Sequence, residues 1–248
     1  AVFDGNLTRA AREFAVAASV FRAAGDIRWA GGAGANLGVM YLQLGLFEKA
    51  EAALRSALAD AERVGAAYSA ALAKQNLASS LLRLQRPDEA LELQREALEV
   101  FVAGADVRLA VMSHCGIAEA YLEKREVDPA YHEASAACRA AADFLAVRGQ
   151  ALAVYAQVLL ASGRPEEALV RTSEGISLLE SHPMEEREMQ LRATHIAALR
   201  ACGHAAVAEE EVRAAKTVLA ERAQKIEDAS QRAVFLQRVA ENRAIAEM

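Results

Sequence analysis

The chain has 248 residues, a formal net charge of −6, and 54% hydrophobic residues of which few are aromatic. Surplus acid disfavours nucleic acid as a partner, because the phosphate backbone is itself negative. No apolar run approaches the roughly 18 to 20 residues that a membrane span needs, and no alternating β-branched run suggests a strand, so close packing of helices through small residues is expected.

In chain order, residues 1–26 read as the second helix of a repeat whose first helix is missing. Gly5-Asn6 is expected to form the turn, Ala10, Phe14 and Ala17 the packing face, and Gly25 the stop. A simple N-terminal capping helix is the alternative. The first complete repeat spans 27–65, turning at Gly45-Leu46 and stopping at Gly65. Its first helix carries Gly31, Gly32, Gly34 and Gly38. These are not read as a phosphate loop, since no Gly-Lys-Ser/Thr follows and no strand precedes. The second repeat covers 66–105, with Pro87 at the first position of its second helix and Gly104 as its stop. The third covers 106–146, with Asp128 and Pro129 as N-cap and first residue of the second helix. The fourth covers 147–182 and turns at Gly163-Arg164-Pro165. The fifth covers 183–225, starting near Pro183 and turning at Cys202-Gly203. Residues 226–248 leave the pattern and are expected to form one capping helix over the last repeat, begun by Asp228 or Ser230. No connection is long enough to be a linker, so one continuous array over 1–248 is expected.

Two ladders of small residues set this register. Ala10, Ala50, Ala90 and Ala130 stand 40 residues apart, Ala168 follows 38 later, and Ala208 another 40. Seven residues after each comes a second small residue: Ala17, Ala57, Ala97, Ala137, Gly175 and Ala215. The first helices carry Leu37-Gly38-x-x-Tyr41, Leu77-Ala78-x-x-Leu81, Ile117-Ala118-x-x-Tyr121, Tyr155-Ala156-x-x-Leu159 and His195-Ile196-x-x-Leu199. A small residue lets two helix backbones approach, and the large residue three positions on fills the space beside it. The fold class expected is all-α, a right-handed solenoid of antiparallel helix pairs.

Gly34-x-x-Leu37-Gly38-x-x-Tyr41 followed by Ala50-x-x-x-Leu54-x-x-Ala57 resembles the tetratricopeptide repeat. The 40-residue period with Asn-Leu-Gly is similar to the longer-helix class, which includes kinesin light chains, spindle-orientation adaptors and bacterial regulators joined to ATPase or kinase modules. The ending from Ala223 to Arg243 is similar to the tails of large bacterial signalling proteins, which often have proline where Ala229 stands. The resemblance implies a protein-interaction scaffold, the sensor or adaptor part of such a protein, binding a protein or peptide ligand in a groove lined by the first helices. It implies that ligand contacts lie around the Leu-Gly pair: Asn36 and Val39, then Gln75, Asn76 and Ser79, then Met112 and Glu119. They continue with Gln150 and Gln157, and end with Gln190 and Thr194. Asn36 and Asn76 match the asparagine that relatives use on a ligand backbone, a task suited to an amide because it donates and accepts. The groove is expected to be nearly free of Lys and Arg. Self-association into a homo-oligomer through the incomplete N-terminal repeat is the alternative function.

No chemistry is read from the remaining residues. The histidines (114, 132, 182, 195 and 204) form no His-x-x-x-His, and no Cys-x-x-Cys exists, so no metal and no other cofactor is expected. His114 and Cys115 are sequence neighbours and point to different sides of a helix, so no catalytic pair is expected and the chain is not read as an enzyme. Three widely spaced cysteines fit reduced thiols in the cytoplasm. A chain opening at Ala1, with no charged-then-apolar leader, is read as a piece of a larger protein.

Overall fold

The computed structural model describes residues 6–179, 181–182 and 187–248. The expected turn glycine Gly5 and the expected start of the fifth repeat at Pro183 lie outside them. Thirteen helices and no strand occur among the described residues. They are α1 (Leu7–Ala23), α2 (Ile27–Gln43), α3 (Phe47–Arg63), α4 (Ala67–Arg83), α5 (Pro87–Ala103), α6 (Val107–Glu123) and α7 (Val127–Ala140). There follow α8 (Leu145–Ala161), α9 (Pro165–Leu179), α10 (Glu188–Ala201), α11 (Ala205–Gln224), α12 (Ala229–Arg238) and α13 (Ala240–Glu247). The architecture is an all-α repeat solenoid in which consecutive helices pack from α1 to α5 and again from α6 to α10.

Local chemistry explains the boundaries. Asn6, Asp26, Asp106 and Asp228 each accept a hydrogen bond from the backbone N–H three residues on, at 2.9 to 3.3 Å, and so start α1, α2, α6 and α12. Pro87 and Pro165 open α5 and α9, where a missing N–H costs nothing. Gly25, Gly45, Gly65, Gly163 and Gly203 take left-handed backbone between helices, with φ from 64° to 80°. Two expected boundaries are corrected. The stop after α5 is Ala105 at φ 54°, because Gly104 keeps φ −84° as the C-cap. Pro129 is the third residue of α7 rather than its first; the cap is Glu126, and the second and third positions of a helix also lack an intrahelical use for their N–H.

Both ladders lie inside the fold. Ala10, Ala50, Ala90, Ala130, Ala168 and Ala208 are at most 1% exposed, and in the second ladder only Ala17 escapes full burial. Gly38 shows why the slot must be small: a Cβ there would lie 2.4 Å from Leu54 Cγ on α3. Farther along the same contact, Gly34 faces Ala57 and Gly31 faces Asp60. Burial against Arg22 of α1 leaves Asp60 paired and hydrogen-bonded.

The chain divides into two compact units. The first comprises Ala1–Gly104 with Arg222–Val239, and thus holds α1 to α5 and α12. In it α12 sits against the α2–α3 turn. Val234 meets Gly45, Arg238 donates twice to Glu48 at 2.8 Å and stacks over Phe47 at 5.1 Å, and Gln231 accepts from Thr8 at 2.9 Å. The second unit comprises Ala105–Glu221 with Ala240–Met248. There α6, α8 and α10 neighbour one another as first helices, and α13 packs on α10 with Ile245 fully buried. The single capping helix expected over 226–248 is therefore two helices. Val239 breaks it with extended backbone (ψ 112°), and α12 covers the first repeats instead of the last.

Candidate binding surface

In the first unit α2 and α4 are neighbours; Arg28, Trp29, Gly32 and Asn36 are exposed on α2, and Ala67, Tyr68, Ser69 and Arg83 on α4. Asn36 is exposed, and Val39, Asn76 and Ser79 are half-buried. No hydrogen bond joins the Asn36 or Asn76 amide to another described residue. Gln75 is 3% exposed, and its carbonyl accepts from Ser79 Oγ and from Gln94 Nε2 of α5, both at 3.3 Å. Its side chain packs in the interior, so Gln75 leaves the set of accessible residues.

In the second unit polar side chains of three first helices converge, Glu119 and Gln157 half-buried and Gln190 only 4% exposed. Glu119 on α6 accepts from both terminal nitrogens of Arg187, at 2.5 and 3.1 Å, and from Gln190 Nε2 on α10 at 2.7 Å. Gln190 also donates to Gln157 Oε1 on α8 at 3.1 Å and accepts from Arg187 Nη1 at 2.9 Å. The network crosses α6, α8 and α10 and draws in three of the residues expected from the sequence. Arg187 corrects the expectation of a face nearly without cations. It precedes α10, outside the repeat pattern, and no spacing marks it.

The remaining expected residues are less open. Thr194 is 5% exposed and donates to the Gln190 carbonyl at 2.7 Å, inside its own helix. Met112 is half-buried, with Arg108 Nη1 3.8 Å from its sulfur. Gln150 is half-buried, and its Oε1 is shielded from solvent without a hydrogen-bond partner.

The titratable groups follow packing. Burial pushes the Cys115 and Cys138 thiols up to about 12, which keeps them protonated and poor nucleophiles. His114 Nδ1 lies 2.6 Å from Glu133 Oε2 on α7. His195 is buried with Nδ1 2.8 Å from Thr172 Oγ1, and desolvation lowers its pKa. Among the described residues no three His, Cys, Asp or Glu side chains group as metal ligands, and no helix is long and apolar enough to cross a membrane.

Residues 32–101, which hold α2 to α5 and the exposed Asn36, match the family model described as tetratricopeptide repeat. The match covers less than a third of the chain and identifies α2 to α5 as similar to the tetratricopeptide repeat. Solved tetratricopeptide-like structures share its fold at low identity. BtubC (BKLC) from P. vanneervenii is 17% identical with a TM-score of 0.62, over 89% of this chain and 92% of that one. A putative kinesin light chain of Podosopora anserina with nearly identical TPR-like repeats is 18% identical, with a TM-score of 0.54 over 76% and 94%. The Rap conjugation gene regulator of plasmid pLS20, solved in complex with the Phr* peptide, is 13% identical with a TM-score of 0.62 over 93% and 73%. Among curated proteins none matches the chain. The likenesses establish the tetratricopeptide-like fold, and the side chains on its first helices are this chain's own.

Proposed function

We propose that the chain is a protein-interaction scaffold that holds a peptide, or an extended segment of a partner protein, against the face of its first helices. The observation that carries this is the pair Asn36 and Asn76. Two amides on neighbouring helices α2 and α4 stand at or near the surface with no partner among the described residues, and each offers donor and acceptor together. An amide pair one repeat apart suits the repeating N–H and C=O groups of a peptide backbone. A Rap regulator of similar fold was solved with a peptide, which supports both the ligand class and a role as the sensor or adaptor part of a bacterial signalling protein. The three free cysteines fit a reducing compartment, the cytoplasm. The reading gives the chain no reaction of its own.

The test is a selection of displayed random peptides on the intact protein, followed by titration of a selected peptide. Asn36→Ala combined with Asn76→Ala should weaken binding roughly tenfold or more, since each lost backbone-directed hydrogen bond is worth about 0.5 to 1.5 kcal/mol. Unchanged affinity with a lowered melting temperature would make both asparagines structural. A second reading, self-association, is favoured by α1, where Val16 and Val20 are 61% and 59% exposed along an open cleft of about 600 Å³. Sedimentation of the wild type and of Val16→Glu with Val20→Glu checks it: a dimer abolished by the pair supports self-association, and a monomer at all concentrations removes it.

A further inference from the structure

The network on the second unit has the form of an occupied binding site. Glu119 is approached by two parallel N–H groups of one guanidinium, the fork geometry in which carboxylates hold arginine most strongly. The amide oxygen of Gln190 takes a further N–H of the same guanidinium, while its nitrogen is fixed by Glu119 and Gln157. Carboxylate and amides come from three helices and are held by one another, so the cup is ordered from several directions. The cation comes from elsewhere. Arg187 is the residue before α10; its guanidinium reaches Glu119 and Gln190, and its carbonyl accepts from the Leu191 N–H at 3.0 Å.

Neighbouring arginines are committed to other contacts. Arg148 of α8 donates to Glu174 of α9 at 2.5 Å, and Arg192 of α10 pairs with Glu188 at 2.8 Å. Glu119 and Arg187 are each 19% exposed, so their attraction is less screened than that of a surface pair, while solvent still reaches them. The chain's charge of −6 also favours a basic ligand over an acidic one.

We propose that Glu119, Gln157 and Gln190 form a subsite for an arginine side chain of the bound peptide, and that Arg187 holds this subsite in the free protein. The assignment rests on the reading of the first-helix face as the peptide surface, and it names the side chain that surface selects. Ligand arginine and Arg187 compete for one carboxylate, so removal of Arg187 frees the subsite and removal of Glu119 destroys it.

The probe is N-acetyl-arginine amide, titrated into isotope-labelled full chain while the side-chain amide signals of Gln157 and Gln190 are followed by NMR. In Arg187→Gln the probe should shift both signals saturably, with a dissociation constant at least tenfold below that of the wild type. N-acetyl-lysine amide should bind more weakly, because an ammonium cannot fill the fork. Adding Glu119→Gln to Arg187→Gln should abolish the shifts. Arg187→Lys keeps the charge and serves if Arg187→Gln does not fold; it should bind the probe more tightly than the wild type. Equal affinity in wild type and folded variant, or binding that survives loss of Glu119, overturns the subsite. A selected peptide that loses affinity with the asparagine substitutions but is indifferent to Glu119→Gln would keep the peptide surface and remove the arginine subsite alone.

Discussion

The two units place different chemistry on the same backbone plan. In the first, the residue before each Leu-Gly or Leu-Ala pair is an asparagine, Asn36 or Asn76, with no hydrogen-bond partner among the described residues. In the second, that position holds Gly116, Val154 and Thr194, all buried, and polarity moves to Glu119, Gln157 and Gln190, which satisfy one another around Arg187. The small-residue ladders are the same in both. Backbone placement is therefore set by the repeat, and what each face can hold is set by a few side chains outside the ladders.

Substitutions that ignore this difference should have the largest effect. Ala90→Leu in the first unit and Ala137→Leu in the second each put a branched side chain where exposure is 0%. Each should cost about 1 to 3 kcal/mol by overpacking, read from denaturant melts. A cost confined to one unit would show that the ladders are not equivalent.

The faces themselves should separate next. Glu119→Ala removes the acceptor shared by Arg187 and Gln190 and should destabilise the protein by about 1 to 3 kcal/mol. Asn36→Ala, at an exposed amide without a hydrogen-bond partner among the described residues, should stay within about 0.5 kcal/mol of the wild type. Equal losses would mean that Asn36 is a packing residue.

How much of this was legible in the sequence depends on which forces leave a period behind. Overpacking repeats wherever two helices approach, so Ala50, Ala90 and Ala130 announced their burial by spacing alone. Turns were legible where Gly25, Gly45 or Gly65 bent the chain, and less so at Ala105, where a residue with a Cβ takes the left-handed region. The candidate face was legible by position and not by pairing. Glu119, Gln157 and Gln190 could be placed on first helices, but nothing local says that Arg187, 68 residues from Glu119, completes them. Gln75, Gln190 and Thr194 belonged to the expected set, and only packing shows them to be buried. The break at Val239 carries no glycine or proline signal, because tertiary contacts of Val234 and Arg238 direct α12.

Within α2 the contrast narrows to single methyl groups. Gly32 has nothing within 4 Å of a Cβ, so Gly32→Ala should stabilise by about 0.5 to 1 kcal/mol through lower chain entropy. Gly38→Ala meets Leu54 and should lower the melting temperature instead. Thermal melts of the two variants side by side give the sign directly.

The smallest effect concerns α12. The bidentate Arg238 guanidinium holds Glu48 down to about 2, from an ordinary value of 4.5. A depressed carboxylate contributes stability that is full above the unfolded value and is lost as pH falls from about 4.5 through about 2. The pair is largely exposed, so the acid-dependent loss should be slight. Arg238→Gln should flatten the wild type's decline in melting temperature between those two pH values; an unchanged slope would free α12 from this contact.

The turn at Gly65 looks onto empty space, whereas Gly45 lies under Val234 and Arg238. Foreign sequence spliced in at Gly65 would leave the flanking helices α3 and α4 undisturbed, because nothing there has to move aside. The same splice at Gly45 would lift α12 from its seat. An engineer attaching a reporter or grafting a second recognition loop thus has one permissive port and one forbidden one, separated by a single helix.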